Sequence, residues 1–344
     1  MEIRDFLELN LDSNNPPYAS KSVSEPSKTN NFEYLINDFT TSCRIYDYAE
    51  ASNPYMIPIP IKTFNSDELS DQTQIKNLDI SNDLGYNYLA TSPNLLAQFI
   101  KIKNNDSVLI SLNATSQVYY VIKGSGYSLF KVDFEENNTQ SCRIDWSKGD
   151  LFVLPITKEL EHIATHDTLM YSINDEPLLN YLLVKPSYAK FKPTIFKSDM
   201  TRHSLNEIYQ KNLMKGLNRL GILLSNEITE STTKTLTHTM WSLLNILPAN
   251  TNQRPHRHNS VALDLCVESS NPEKVYTLIG SELDENGWII NPIKCSWKKG
   301  SVFITPPGMW HSHHNETDTD ALVLPVQDAG LYTYQQTLDI RFSV

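Results

Sequence analysis

The chain contains few cysteines and no long apolar run. Its four cysteines are scattered and form no CxxC pair. This spacing excludes a cysteine-rich zinc motif and a dense disulfide framework, and it predicts free thiols in a reducing compartment. No apolar stretch reaches the ~18 residues that a membrane-spanning helix needs. The charged start of the sequence lacks the apolar core of a secretory signal. We therefore expect a cytoplasmic protein that does not enter a membrane.

Basic side chains are also in the minority. Lys and Arg number 29 against 40 Asp and Glu, which gives a net charge of −11 at pH 7. Nucleic-acid binding needs clustered Lys and Arg to neutralise phosphates. The longest basic run is Lys298-Lys299, which we interpret as part of a turn. We expect no nucleic-acid partner.

What the sequence does contain is a series of short β-type segments. The chain has 344 residues, which suits two domains of ordinary size. From residue 94 onward, β-branched and aromatic runs alternate with glycine and proline turns, as in β-sandwiches and barrels. In this pattern residues 117–122 form a strand, Gly124 to Gly126 form a turn, and a new strand begins at Tyr127.

The second half repeats the order of the first. The segment 146–155, WSKGDLFVLP, corresponds to the segment 297–306, WKKGSVFITP. This is an internal repeat of a whole barrel. Between the halves, leucines recur at helical spacing over residues 200–224, and Ser204 with Glu207 forms a capping box. We predict an all-β fold of two jelly-roll barrels. The segments are an N-terminal arm at 1–84, a first barrel at 85–195, a helical connector at 196–232 and a second barrel at 233–344.

Histidines are concentrated in two short segments of the second half. His256 and His258 are separated by one residue, so on a strand both face the same side. His311 follows a proline-glycine turn and can supply a third imidazole from another strand. Three imidazoles leave open positions for water or substrate, as in catalytic metal sites. The alternative is that these are hydrogen-bonded core histidines without a metal.

Two further residues are candidates for catalysis. His313 lies two residues beyond His311 and shares its predicted face. It would support the site as a hydrogen-bond donor or an acid/base, or it would be exposed at the rim. Asp264 follows His256 and His258 in alternation and is expected to face the barrel interior. A register shift of one residue would turn it outward.

These histidine segments resemble the cupin superfamily, and more closely the bicupins that are similar to gentisate 1,2-dioxygenases. The segments 255–263, PHRHNSVAL, and 305–315, TPPGMWHSHHN, carry the resemblance. The usual cupin glutamate is absent, since Ala262 and Leu263 occupy its positions; the gentisate dioxygenase-like group also lacks it and uses three histidines. The resemblance implies two double-stranded β-helix barrels, Fe²⁺ bound by His256, His258 and His311, a small-molecule substrate with O₂, and a homo-oligomer, either a dimer or a tetramer.

The sequence departs from that group in two respects. The first barrel has no HxH pair, since residues 111–116 read SLNATS, so we predict a metal-free barrel there although the family more often places iron in it. Asp264 stands where the family often has an arginine. An aspartate repels a carboxylate in a pocket of low dielectric constant, which disfavours gentisate and favours an amine or hydroxyl substrate. Alternatively, Asp264 orients a histidine.

Three functions follow as hypotheses. The first is a non-haem Fe²⁺ dioxygenase that cleaves a hydroxy- or amino-aromatic substrate. The second is a metal-dependent isomerase, lyase or hydrolase without oxygen chemistry, with zinc, manganese or nickel as the Lewis acid. The third is a non-enzymatic cupin that binds a small molecule.

Overall fold

A computed structural model describes residues 39–213, 215, 217 and 219–343. The chain divides into two compact units, residues up to Tyr55 and the unit Met56–Val344. In the first unit a 3-10 helix spans Phe39–Ser42 and α1 spans Tyr48–Ala51, where the Asp47 carboxylate accepts a hydrogen bond from the Ala49 amide at 2.8 Å. No helix in the described ranges is long and apolar enough to cross a membrane. All elements below belong to the second unit.

The second unit is built mainly from antiparallel strands, with few helices. The first half contains β1 Thr63–Asn65, a 3-10 turn Ser66–Glu68, β2 Gln74–Asn77, α2 Ser81–Leu84, β3 Leu96–Ile102, β4 Ser107–Ile110, β5 Gln117–Glu135, β6 Asn138–Ser147, β7 Leu151–Leu154, β8 Lys158–Asn174 and α3 Glu176–Leu182. The second half contains β9 Thr194–Phe196, α4 Ser198–Leu213, β10 Leu220–Leu224, β11 Trp241–Leu247, β12 Thr251–Asn252, β13 His256–His258, β14 Ala262–Glu268, β15 Val275–Gly280, β16 Ile293–Ser296, β17 Ser301–Thr305, β18 Trp310–Asn315, β19 Ala321–Gln327, α5 Ala329–Tyr334 and β20 Ile340–Phe342.

The two barrels have the same strand order. In the first, the order is β9-β7-β5-β8-β3-β2, with β6 beside β5 and β4 beside β8. In the second, one sheet has the order β1-β17-β14-β19-β11-β10 and the other has β16-β15-β18-β13-β20. The pair of long strands β5 and β8 in the first barrel thus corresponds to two pairs of shorter strands in the second. The duplicated all-β architecture predicted from the repeat is confirmed.

The leading strands of the two repeats are exchanged. Strand β1 precedes the first barrel in sequence but pairs with β17 of the second, with Phe64 opposite Val302. Strand β9 precedes the second barrel but pairs with β7 of the first, with Ile195 opposite Phe152. Strand β2 pairs with β3 of the first barrel. Two strands within the segment predicted as an arm therefore extend barrel sheets. The boundaries of the four predicted segments remain a prediction.

Among the residues that the structure describes, apolar side chains form three buried clusters. One fills the first barrel, around Tyr119, Phe130 and Phe152. A smaller one fills the bottom of the second barrel, around Trp297 and Phe303. The largest contains residues of both barrels, such as Tyr120, Leu151, Leu265 and Val302. Strands that are buried on both sides have no polar face. The barrels therefore pack against each other through apolar sheet faces.

Two local predictions were wrong. The leucine-rich segment is helical only in α4 as far as Leu213, and residues 220–224 are the strand β10, paired with β11. There Leu220, Ile222 and Leu224 are buried while Leu223 is exposed, a period of two that fits a sheet edge. The helix begins at Ser198, so Ser204 and Glu207 lie within it and form no N-terminal cap.

The predicted glycine turn is also absent, because β5 continues through it. The strand passes Gly124 and Gly126 with register shifts against β8. A Cβ at Gly126 would lie 2.0 Å from the carbonyl oxygen of Ile163 and 2.5 Å from the Trp146 ring. The glycines therefore allow close packing and bending of one long strand, which is a common use of glycine within a sheet.

Candidate metal centre

Three histidines converge inside the second barrel. His256 and His258 lie on β13, and His311 lies on the adjacent strand β18, directly opposite His256. One ring nitrogen from each lies within 4.8 Å of those of the other two. The ring centroids of His256 and His311 are 4.0 Å apart, and those of His258 and His311 are 4.9 Å apart. Within the described residues this is the one group of His, Cys, Asp or Glu with such spacing.

Backbone carbonyls fix the tautomers of two of these rings. Nδ1 of His258 lies 2.8 Å from the carbonyl oxygen of Ser260, and Nδ1 of His311 lies 3.1 Å from that of Met309. A carbonyl only accepts, so each Nδ1 carries the hydrogen and each Nε2 has a free lone pair. Burial lowers the pKa of both rings, which keeps them neutral. Neutral imidazoles oriented through Nδ1–H suit a divalent metal.

The third ring has a different partner, Arg219. Nη1 of Arg219 lies 3.0 Å from Nδ1 of His256, and Nη2 donates to the carbonyl oxygen of Arg254. The guanidinium also lies 5.0 Å from the centre of the Phe342 ring. A guanidinium cannot accept, so Nδ1 of His256 is the acceptor. Arg219 therefore competes with a metal ion for the lone pair of this ring.

Sequence reasoning missed Arg219. The residue directly precedes β10, in the segment predicted to be helical. Burial lowers its pKa to about 10. The available signal was the alternation of Leu220, Ile222 and Leu224, which identifies a strand beside the site but not its partner strand.

The histidines open onto a small cavity of about 90 Å³. Asp264 lines this cavity, as strand alternation predicts, and the side chains of Arg219, Trp241 and Gln253 also reach it. The Thr305 hydroxyl donates to the Asp264 carboxylate at 2.7 Å. Burial raises the pKa of Asp264 to about 7, and the Thr305 hydrogen bond partly offsets this rise. The carboxyl group is therefore poised to gain or lose a proton near neutral pH.

His313 also lines the cavity and is buried, so the alternative of an exposed rim histidine is wrong. Its Nδ1 lies 2.8 Å from Oγ1 of Thr277, which accepts a hydrogen bond from Nε1 of Trp297 at 2.8 Å. The Thr277 oxygen has a second lone pair as well as its own hydrogen, so it pairs with Nδ1 in either tautomer of the His313 ring. Burial lowers the pKa of His313 to about 3. The ring is therefore neutral, and Thr277 holds its Nδ1.

The first barrel contains the same three-residue arrangement. Nδ1 of His162 lies 2.6 Å from Oγ of Ser128, which accepts from Nε1 of Trp146 at 2.8 Å. The strand register is also the same, with Ser128 opposite His162 and Thr277 opposite His313. The arrangement recurs in a barrel without metal ligands. It is therefore a feature of the duplicated scaffold that fixes one histidine in each barrel.

Apolar residues occupy the positions of His256 and His311 in the first barrel. Two residues before His162 is Leu160, opposite Ile110. The equivalent pair in the second barrel is His311 opposite His256. Leu160 is buried, and Ile110 packs against the apolar cluster of this barrel. His166, the other histidine near this position, is exposed and bonded to Ser125 at 2.8 Å.

Comparisons with known proteins show the fold. No protein-family model and no curated sequence matches the chain. A solved structure of a salicylate 1,2-dioxygenase from Pseudaminobacter salicylatoxidans is similar, with a TM-score of 0.65 and 13% identity over 88% of this chain and 95% of that one. The gentisate adduct of that enzyme gives 0.61 and 13% over 86% and 87%. The chain thus has the bicupin fold that the resemblance of its sequence implies.

Proposed function

We propose that this chain is a metal-dependent bicupin oxygenase that binds Fe²⁺ through His256, His258 and His311. The observation that carries the proposal is the convergence of three neutral imidazoles, two of which have their Nε2 lone pairs fixed by backbone carbonyls. The fold likeness to a salicylate 1,2-dioxygenase supports the oxygenase class. When bound, ferrous iron would supply adjacent positions for a substrate and O₂.

The residues around the histidines have distinct roles in this proposal. His313 forms a hydrogen bond with the bound substrate through Nε2, because its Nδ1 is occupied by Thr277. Asp264 accepts a proton from a substrate hydroxyl or amine, since its pKa lies near neutrality. Arg219 supplies a positive charge to the cavity. Together they favour a substrate with one ionisable hydroxyl or amine and one negative group.

The volume of the cavity limits the substrate. An apolar cavity of ~150 Å³ accommodates benzene, whereas this cavity measures about 90 Å³. A single aromatic ring therefore needs more space, which movement of Arg219 away from His256 would supply. Release of Arg219 would both open the cavity and free the His256 lone pair for the metal. We therefore propose a one-ring substrate whose binding accompanies movement of this side chain.

A second candidate function is metal-dependent isomerase, lyase or hydrolase chemistry with zinc, manganese or nickel. The observation that favours it is Asp264, a buried carboxyl group with a pKa of about 7 beside the histidines. Such a group is a suitable general acid or base for reactions that need no oxygen. In this function the metal would polarise a substrate oxygen.

The test combines metal analysis with oxygen uptake. Protein purified without air would be analysed for bound metal, beside His258→Ala and a control, His166→Ala, which removes an exposed histidine of the first barrel. We expect about one iron per chain in the wild type and the control, and a loss in His258→Ala. Oxygen uptake with a hydroxy- or amino-aromatic compound then supports the oxygenase.

Other results would select other functions. Stoichiometric zinc, manganese or nickel with anaerobic turnover would support the second candidate. Metal without turnover would support a cupin that only binds a small molecule. Absence of metal from all three proteins would contradict the site itself. Cytoplasmic location and a homo-oligomeric state are also part of the proposal.

A further inference from the structure

A second cleft lies between the two barrels, away from the histidines. It has a volume of about 410 Å³ and is lined by residues of both repeats. Ile122 and Gly149 come from the first barrel, and Val267 and Lys299 from the second. Nothing in the proposed metal chemistry uses this cleft.

Two repeat-related turns supply its lysines. Lys148 precedes Gly149 and Lys299 precedes Gly300 in the matching segments WSKG and WKKG. The Gly149 amide bonds the carbonyl oxygen of Val121 at 2.8 Å, and the Gly300 amide bonds that of Cys266 at 2.9 Å. Both glycines have positive φ, +88° and +79°. The duplication therefore directs two equivalent lysines to one cleft, from opposite barrels.

The cleft carries an excess of positive charge. Its lining includes Lys148, Lys299 and Arg202, against the single carboxylate of Glu268. Arg202 bonds both oxygens of Glu268, at 2.8 and 3.1 Å. Neither Lys148 nor Lys299 forms a salt bridge with another residue that the structure describes. Asp150 lies next to the lysine turn, but Lys197 pairs with it at 2.8 Å. Glu268 also attracts both lysines, so the lining carries three cations against one carboxylate in a chain whose net charge is −11.

The surroundings also favour an anion. Ser198, the first residue of the 16-residue helix α4, lines the cleft with its side chain, while its amide donates to the Asp150 carboxylate at 2.8 Å. The Tyr120 side chain in the wall is buried, and burial raises its pKa to about 12, so its hydroxyl stays neutral. Like charges placed together in a partly enclosed cleft repel each other. A bound anion would relieve that repulsion.

We propose that this cleft binds a small molecule that carries two negative charges, held by Lys148 and Lys299. Arg202 remains paired with Glu268 and orients the wall of the cleft. The two charges reside either on one phosphate group or on two carboxylates, and both arrangements match two separate ammonium groups. The cleft is independent of the metal, so its ligand is a regulator or a further substrate that the histidines do not contact.

Calorimetric titration of the full chain tests this site. The probes are inorganic phosphate, succinate and, as a singly charged control, acetate. The variant is Lys148→Gln combined with Lys299→Gln, and the matched control is Lys185→Gln, an exposed lysine outside the cleft. We expect phosphate or succinate to bind at least ~10-fold more weakly to the double variant. The Lys185→Gln protein should match the wild type.

A third variant gives an effect of opposite sign. Glu268→Gln removes the one carboxylate of the lining, so the same dianion should bind several-fold more tightly. Tighter binding of phosphate than of succinate would show that the ligand carries both charges on one group. Tighter binding of succinate would show that it carries them on two separate groups. Equal affinity in the double variant and the wild type, or no binding of either dianion, would overturn the proposal. His258→Ala should bind the dianion normally, which separates this site from the proposed metal function.

Discussion

At the scale of single residues, Arg219 decides how readily the histidines accept a metal. Its guanidinium donates to His256 Nδ1 at 3.0 Å and brings a positive charge beside the site. A metal-binding histidine instead donates its second N–H to an acceptor. The contact with Arg219 therefore opposes metal binding, while the carbonyl contacts of His258 and His311 favour it.

Replacing Arg219 with glutamine should therefore strengthen metal binding. Arg219→Gln removes the charge and leaves an amide that can accept from His256 Nδ1–H. We expect at least ~10-fold tighter binding of a divalent ion, because a nearby unit charge is worth a few kcal/mol at a partly buried site. Anaerobic competition with a chelating dye measures this. Arg341→Gln, at an exposed arginine of β20, is the control. Weaker binding in Arg219→Gln would show that Arg219 holds His256 in place instead.

Asp264 makes stability depend on pH. Its pKa rises from 3.8 in the unfolded chain to about 7 in the fold because of burial. The folded protein therefore binds a proton more tightly, and stability falls as pH rises from about 4 to about 7. Since each pKa unit is worth about 1.4 kcal/mol, the ionised carboxylate costs on the order of 4 kcal/mol.

Asp264→Asn should remove this dependence. The amide stays neutral, so the variant gains stability relative to the wild type between pH 4 and 7, with a constant advantage above pH 7. Urea unfolding of the metal-free protein across this range measures the difference. Asp318→Asn, at an exposed carboxyl group, should show no such trend. A constant difference between Asp264→Asn and wild type from pH 4 to 8 would refute the shift.

At the scale of elements, the exchanged strands are what the sequence could not predict. Strands β1 and β9 contain only three residues each, too few to show a period. The segment that includes Leu220 to Leu224 satisfied helical spacing, and only its pairing with β11 makes it a strand. Local pattern reports which face of an element is apolar but not which distant strand covers it.

The exchange predicts that two neighbouring strands protect different barrels. Phe64→Pro in β1 removes a backbone donor at the edge beside β17, and Lys76→Pro in β2 does the same beside β3. Proline weakens strand pairing because it has no N–H. Hydrogen exchange by mass spectrometry should speed up in β17 and β14 for Phe64→Pro. It should speed up in β3 and β8 for Lys76→Pro.

The two variants control each other, since the residues lie in adjacent short strands. Faster exchange in the same barrel for both would contradict the reciprocal pairing. Acceleration throughout the unit would show that these edges stabilise both barrels equally. The observed topology is supported only if the proline in β1 speeds exchange in the second barrel and the proline in β2 speeds exchange in the first.

The parts of the site that the sequence did predict depend on alternation within one strand or a nearby turn. His256 and His258 follow the strand period within β13, His311 follows the turn of the repeat, and Asp264 lies on the next strand, β14. Arg219 and the Trp297–Thr277–His313 arrangement depend on side chains from several elements. Such contacts arise only from tertiary packing, so a single sequence carries no direct signal for them.

At the scale of the whole molecule, the barrels are joined by exchanged strands and by one shared apolar cluster. That cluster contains residues of both barrels, and each repeat lends its first strand to the other barrel. Separating the barrels would expose both surfaces to water. Unfolding one barrel alone is therefore unfavourable, and the unit from Met56 onward should unfold cooperatively.

This coupling predicts that metal in the second barrel stabilises the first. A ligand that binds only the folded state at 100 times its dissociation constant adds about 2.7 kcal/mol. For a domain of this size that amounts to a rise of several degrees in Tm. In scanning calorimetry, ferrous iron added without air should move a single transition upward. His258→Ala should show no shift. Two transitions, of which iron moves only one, would mean that the barrels unfold independently despite their exchanged strands.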